Sequence, residues 1–174
     1  VELCEHYLGG ARGASALRYF ADAQTHLKKG YLNAQLAALA ERALAVPDLL
    51  TGAERANALL RLAGSHETLG RKSKQRAAID EAVALADAGG DIALRARAHR
   101  LLGHFLEMAF EHEEARRELQ LARDLARQAG DRETEASAMN CAGLVLLHRA
   151  RLSEAAASLE AQIALRRELG DRGG

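Results

Sequence analysis

The stretch DIALRARAHRLLGHFLEMAFEHEEARRELQLARDLARQAGD, residues 91–131, decides the fold. It begins on Asp91, directly after Gly90, and ends on a second such pair, Gly130-Asp131. A third pair, Gly170-Asp171, follows at the same interval of 40 residues (131−91 and 171−131). A constant interval of this length marks an array of similar units. Aligned on the pairs, the chain divides into units 52–91, 92–131 and 132–171, with a weaker one at about 12–51. Ala63, Gly103 and Gly143 then fall in register, as do His66, Leu106 and Leu146. Ile79, Leu119 and Leu159 align later in each unit, with Leu39 at the same place in the weak one.

Each unit reads as two amphipathic helices. Leu59, Leu62, Leu69 and then Ile79, Val83, Ala86 show the spacing of one helical face. The helices are expected to break at Gly30, at Gly70, at Glu111-His112-Glu113 and at Arg149-Ala150-Arg151. Each Gly-Asp pair offers a left-handed glycine to end one helix and a carboxylate to cap the next. Residues 1–8 read as the stub of a preceding helix, and the whole of 1–174 as a single repeat domain cut from a longer protein.

Composition agrees. The chain of 174 residues is 48% apolar, supplied mainly by Ala and Leu, with 3% aromatics, no Trp and one proline, Pro47. These are helix formers, and the β-branched and aromatic residues that strands favour are scarce. The expected class is all-α. Lys+Arg and Asp+Glu balance at 24 each, which removes the long-range pull on nucleic acid or an anionic membrane. No run of about 18 apolar residues is present to span a bilayer. Two scattered thiols, Cys4 and Cys141, suggest neither a disulfide framework nor a zinc site, and fit a reducing cytoplasm.

Gly103 and Gly143 lie inside helices, where glycine costs about 1 kcal/mol against alanine. Their recurrence one period apart predicts a close approach of two helices. Ala77, Ala115 and Ala155, near the starts of the second helices, are the expected counterparts.

These positions resemble the tetratricopeptide repeat. Its small eighth residue, alanine at twenty, large apolar residue at twenty-four and alanine at twenty-seven match Gly103, Ala115, Leu119 and Ala122. The next unit supplies Gly143, Ala155, Leu159 and Gln162, and the earlier one Ala63, Gln75, Ile79 and Ala82. The family's aromatic positions are mostly aliphatic here, its closing proline is replaced by Gly-Asp, and its repeat is shorter. Longer repeats with endings like Ala164-Leu165-Arg166-Arg167-Glu168-Leu169-Gly170-Asp171 look like those of large bacterial signalling proteins, where they follow a nucleotide-binding switch domain.

The resemblance implies an α-α superhelix of about four hairpins, whose first helices line a concave groove. Carried over position by position, the groove comprises Asn57, Leu60, Gly64 and Glu67; Arg97, Arg100, His104 and Glu107; and Ser137, Asn140, Leu144 and Leu147, with His148 beside them. In the weak first unit the matching residues are Phe20, Gln24 and Leu27. Such a surface would take a protein or peptide segment, with Arg pairing to carboxylates and Asn bonding to backbone.

Other motifs lack the required geometry. Gly64-Ser65-His66-Glu67-Thr68-Leu69-Gly70-Arg71-Lys72-Ser73 has five residues between its glycines where a phosphate loop needs four, and it follows a helix. His112-Glu113-Glu114 lacks the second histidine of HExxH, because residue 116 is Arg. His99 and His104 read as solvated side chains, Cys141 as a buried, inert one, and Arg71, Lys72, Lys74 and Arg76 as an exposed turn. No catalytic, cofactor or metal site is therefore expected, and the chain is read as a cytoplasmic, non-enzymatic interaction module. The alternative is a self-assembling scaffold, whose last unit would leave Leu159, Ile163 and Leu165 partly uncovered; contact with nucleic acid ranks third.

Overall fold

A computed structural model describes residues 1–9 and 13–170. The protein is all-α, with no strand among the described residues. Nine helices follow one another there: α1 (Glu2–Gly9), α2 (Gly13–Lys29), α3 (Asn33–Ala45), α4 (Gly52–Thr68), α5 (Lys72–Gly89), α6 (Ile92–Met108), α7 (His112–Ala129), α8 (Arg132–His148) and α9 (Leu152–Glu168). The breaks at Gly30, Gly70 and Arg149-Ala150-Arg151 fall where expected from sequence, whereas the break expected at Glu111-His112-Glu113 lies at 109–111, and His112 and Glu113 open α7. Asp171 lies outside the described residues.

The junctions follow the repeat. Gly90 and Gly130 adopt left-handed φ values of 75° and 69°. Asp91 then accepts a hydrogen bond from the Leu94 N–H at 3.0 Å, and Asp131 one from the Thr134 N–H at 3.0 Å. Each carboxylate satisfies a donor that the first turn leaves without a helical partner. The turns within α4–α5, α6–α7 and α8–α9 place Gly70, Phe110 and Ala150 at φ values of 68°, 62° and 56°. Glycine occupies this left-handed corner in only one of the three. In the turn after α2 the left-handed residue is Tyr31, not Gly30.

The chain forms two compact units, Val1–Leu85 and Ala86–Gly174. In the first, α2 packs against α1 and α3, and α3 against α4. Cys4, Phe20, Leu27, Leu36 and Leu39 form its main cluster, and Ala37, Ala40 and Leu62 a second. Ion pairs Lys74–Glu41 (2.8 Å) and Arg55–Glu81 (2.5 Å) tie α5 to α3 and α4. Phe20, Gln24 and Leu27 are 7%, 3% and 1% exposed, so they belong to this core rather than to a groove. They lie in the unit where the repeat is weakest and its register least defined.

In the second unit α6 packs on α7, α7 on α8, α8 on α9, and α6 also on α8. Leu106, Ala115, Leu119, Cys141 and Val145 interlock at its centre. A fully buried Leu or Val contributes about 1.5–3 kcal/mol. Gly103 and Gly143 are both buried, and the chain approaches them as expected, but from a different residue. A Cβ on Gly103 would stand 2.6 Å from Leu119 Cγ, and one on Gly143 2.7 Å from Leu159 Cδ2. The nearest atoms are thus those of the large apolar residues of the repeat, not of Ala115 and Ala155, which are also buried, or of Ala77, which is exposed. At the chain end, Ile163 is 44% exposed as expected, whereas Leu165 is buried against Ala136 and Met139.

Candidate functional site

On α6, Arg97, Arg100, His104 and Glu107 recur at intervals of three and four, which places them along one face. Ser137, Asn140, Leu144 and Leu147 do the same on α8. Because α6 and α8 pack together, the second unit brings these two stripes side by side. Arg97, Asn140, Leu147 and His148 are exposed, and Arg100, His104, Ser137 and Leu144 half-buried.

Glu107 departs from the expectation of an open groove residue: it is 1% exposed. Its Oε1 lies 3.2 Å from Nδ1 of His148, and its Oε2 3.7 Å from Nδ1 of His104. Oε2 has no hydrogen-bond partner. A buried carboxylate is costly unless a cation or donors compensate it, and here two imidazoles flank it. The Cys141 Sγ sits 3.8 Å from the same His104 Nδ1. That histidine comes from α6, so no spacing within α8 announces the contact. Cys141 is buried, as expected.

The apolar end is larger than its two predicted leucines. Met108 and Phe110, at and just beyond the end of α6, are 57% and 71% exposed, and Leu147, near the end of α8, is 39% exposed. The rings of Phe110, His112 and His148 lie 5.7–5.8 Å apart, centroid to centroid. Sequence reasoning passed over Phe110, which stands directly before the polar stretch Glu111-His112-Glu113, and weighed His112 only as a metal ligand. The usable signal was a lone aromatic at the corner position held by Gly70 and Ala150 in the neighbouring units. An ion pair between Arg149 and Glu113 links the two turns and holds the Glu113 carboxyl below its ordinary range.

His99, read as solvated, is 6% exposed. Its Nδ1 lies 2.6 Å from Glu118 Oε2 and its Nε2 3.1 Å from Asp87 Oδ1. Both carboxylates come from other helices, so no local spacing announces the bridge. Burial raises the Asp87 pKa, but hydrogen bonds from His99 and Arg95 outweigh it and the net shift is downward.

The remaining predicted residues lie on α4 in the first unit. Asn57 is half-buried and donates to the Ala53 carbonyl at 2.9 Å; Leu60 is half-buried and Glu67 exposed. Arg71, Lys72 and Lys74 are exposed, with Lys74 on Glu41 and Arg76 on Asp80. Among the described residues no group of three or more His, Cys, Asp or Glu is arranged to hold a metal ion. No helix there is long and apolar enough to cross a membrane. The chain matches no protein-family model, and no curated protein sequence is significantly similar to it.

Proposed function

We propose that this protein is a non-catalytic interaction module that holds a protein or peptide segment along the α6–α8 face. The observation that carries the reading is the partition of that face. Exposed hydrogen-bonding side chains, Arg97 and Asn140, stand along the bodies of α6 and α8, and exposed apolar groups, Met108, Phe110 and Leu147, at or just beyond their C-terminal ends. Scattered exposed apolar residues need no explanation, but three of them on one face that also carries polar anchors are the composition of a binding surface. The arginines would pair with carboxylates, Asn140 would bond to backbone, and the Phe110 end would bury an apolar side chain.

On this reading the units wind as a tetratricopeptide-like superhelix and serve as a sensing or regulatory part of a larger bacterial signalling protein in the cytoplasm. The 40-residue register, the close approaches at Gly103 and Gly143, and the Gly-Asp junctions support it. A second reading, self-assembly, draws on α9 and the residue that follows it, where Leu152, Ile163 and Leu169 are 66%, 44% and 48% exposed. Light scattering separates the two: a mass independent of concentration argues against self-assembly. The partner-binding reading is tested by Arg100→Glu combined with Asn140→Ala, which is expected to abolish partner capture and leave helicity intact. Capture by the double variant at the level of the parent protein overturns it.

A further inference from the structure

A cleft of about 410 Å³ opens in the second unit, on the far side of α8 from the face described above. One wall is α7, with Arg116, Gln120 and Arg123; the other is the start of α9, with Glu154 and the preceding Arg151; Met139 and Ala142 of α8 form part of the floor. Taking about 100° per residue, Asn140 and Leu144 lie roughly half a turn around α8 from Ala142. The two surfaces are therefore distinct.

Two departures from the repeat meet in this cleft. At the register of Ala142 the preceding units carry Leu62 and Leu102, so the floor is cut back where a leucine side chain would fill it. At the register of Arg123 the neighbouring units carry Val83 and Ile163, so a guanidinium stands where the pattern has an aliphatic residue. Arg123 is half-buried, and its Nε is sealed from solvent with no hydrogen-bond partner. A guanidinium placed this way is costly to the fold, and a carboxylate would relieve it. The other two arginines already lean on carboxylates: Arg151 on Glu154 at 2.6 Å, and Arg116 on Glu113 at 3.5 Å. Three arginines against one lining carboxylate leave the walls net positive, although the chain as a whole is neutral.

We propose that this cleft is a docking site for an acidic segment of a partner protein, with a carboxylate on Arg123 and a small apolar side chain over Ala142. Arg116 and Arg123 are two turns apart on α7, about 10 Å. The fitting segment therefore presents two carboxylates at that separation, as a helix does with Glu at i and i+7.

The test uses the whole chain and a capped Ala/Leu-rich helical peptide carrying two such Glu, with the Gln-substituted peptide as control, read by isothermal titration. Arg123→Val and Ala142→Leu each restore the residue of a neighbouring unit, and melting curves check that both fold. Either change is expected to weaken the Glu peptide by roughly tenfold or more, the loss of one charge-assisted pair or of the space for it. Arg117→Val, which removes the same charge from α7 outside the cleft, is expected to leave binding within about twofold, a surface charge contributing little. Absence of binding by the parent protein overturns the proposal. So does equal binding of the Gln peptide, unchanged affinity in both cleft variants, or equally tight binding of glutarate or inorganic phosphate, which would mark a small-anion site instead.

Discussion

Gly103 turns a bare α-carbon toward Leu119, so closely that a Cβ would stand 2.6 Å from Cγ and 3.2 Å from the Leu119 backbone nitrogen. The leucine side chain can shift; the backbone atom cannot without moving α7. Gly103→Ala is therefore expected to destabilise by about 1–3 kcal/mol, even though alanine is the better helix former. At Gly143 the nearest atoms belong to the Leu159 side chain alone, so Gly143→Ala should cost less. Denaturant unfolding of both variants checks the order. Combining Gly103→Ala with Leu119→Ala should show a favourable coupling of about 0.5–3 kcal/mol.

Burial drives a second expectation. His66, 2% exposed, has its pKa pushed below its ordinary 6.5 by desolvation, against the pull of Glu41. The unfolded chain thus takes up a proton that the folded chain resists as pH falls past 6.5. This stability is present above pH 6.5 and lost below it. Melting temperature should fall from about pH 6.5 to 5, and His66→Leu, which installs the residue of the Leu106 and Leu146 register, should flatten that fall.

Ala150 holds a left-handed φ of 56° where Gly70 does the same work without a side-chain penalty. Ala150→Gly should therefore stabilise by about 1 kcal/mol, read as a rise in denaturant midpoint with unchanged slope. Gly70→Ala should move the midpoint the other way.

Asp131 caps α8 through the Thr134 N–H and also accepts from the Thr134 hydroxyl at 2.8 Å. Replacing it with Ala should cost about 1 kcal/mol, with Asn retaining most of the stability. Thermal denaturation of the two variants is sufficient.

How far the sequence foretold this molecule depends on the range of the interaction. Helix ends, the Gly-Asp junctions and the glycine contacts were legible because they are written in one unit and repeated in the next. The identity of the residue at each glycine was not, since Leu119 and Ala115 lie one turn apart on the same helix and spacing alone allows either. His99 was misread because its two carboxylates arrive from α5 and α7, and Glu107 because burial between neighbouring helices leaves no trace in a single stripe. Phe110 was passed over beside the polar stretch Glu111-His112-Glu113. The α7–α9 cleft needed both signals: a change of residue at two repeat positions, and the fold that brings those positions together.

The binding account stands or falls on a comparison of the parent chain with the Arg100→Glu, Asn140→Ala double variant in affinity capture from cells of the source organism, with circular dichroism of both. A protein retained by the parent and lost from an equally helical double variant is the expected result. Retention of the same protein by both would place the interaction off the α6–α8 face and contradict the account.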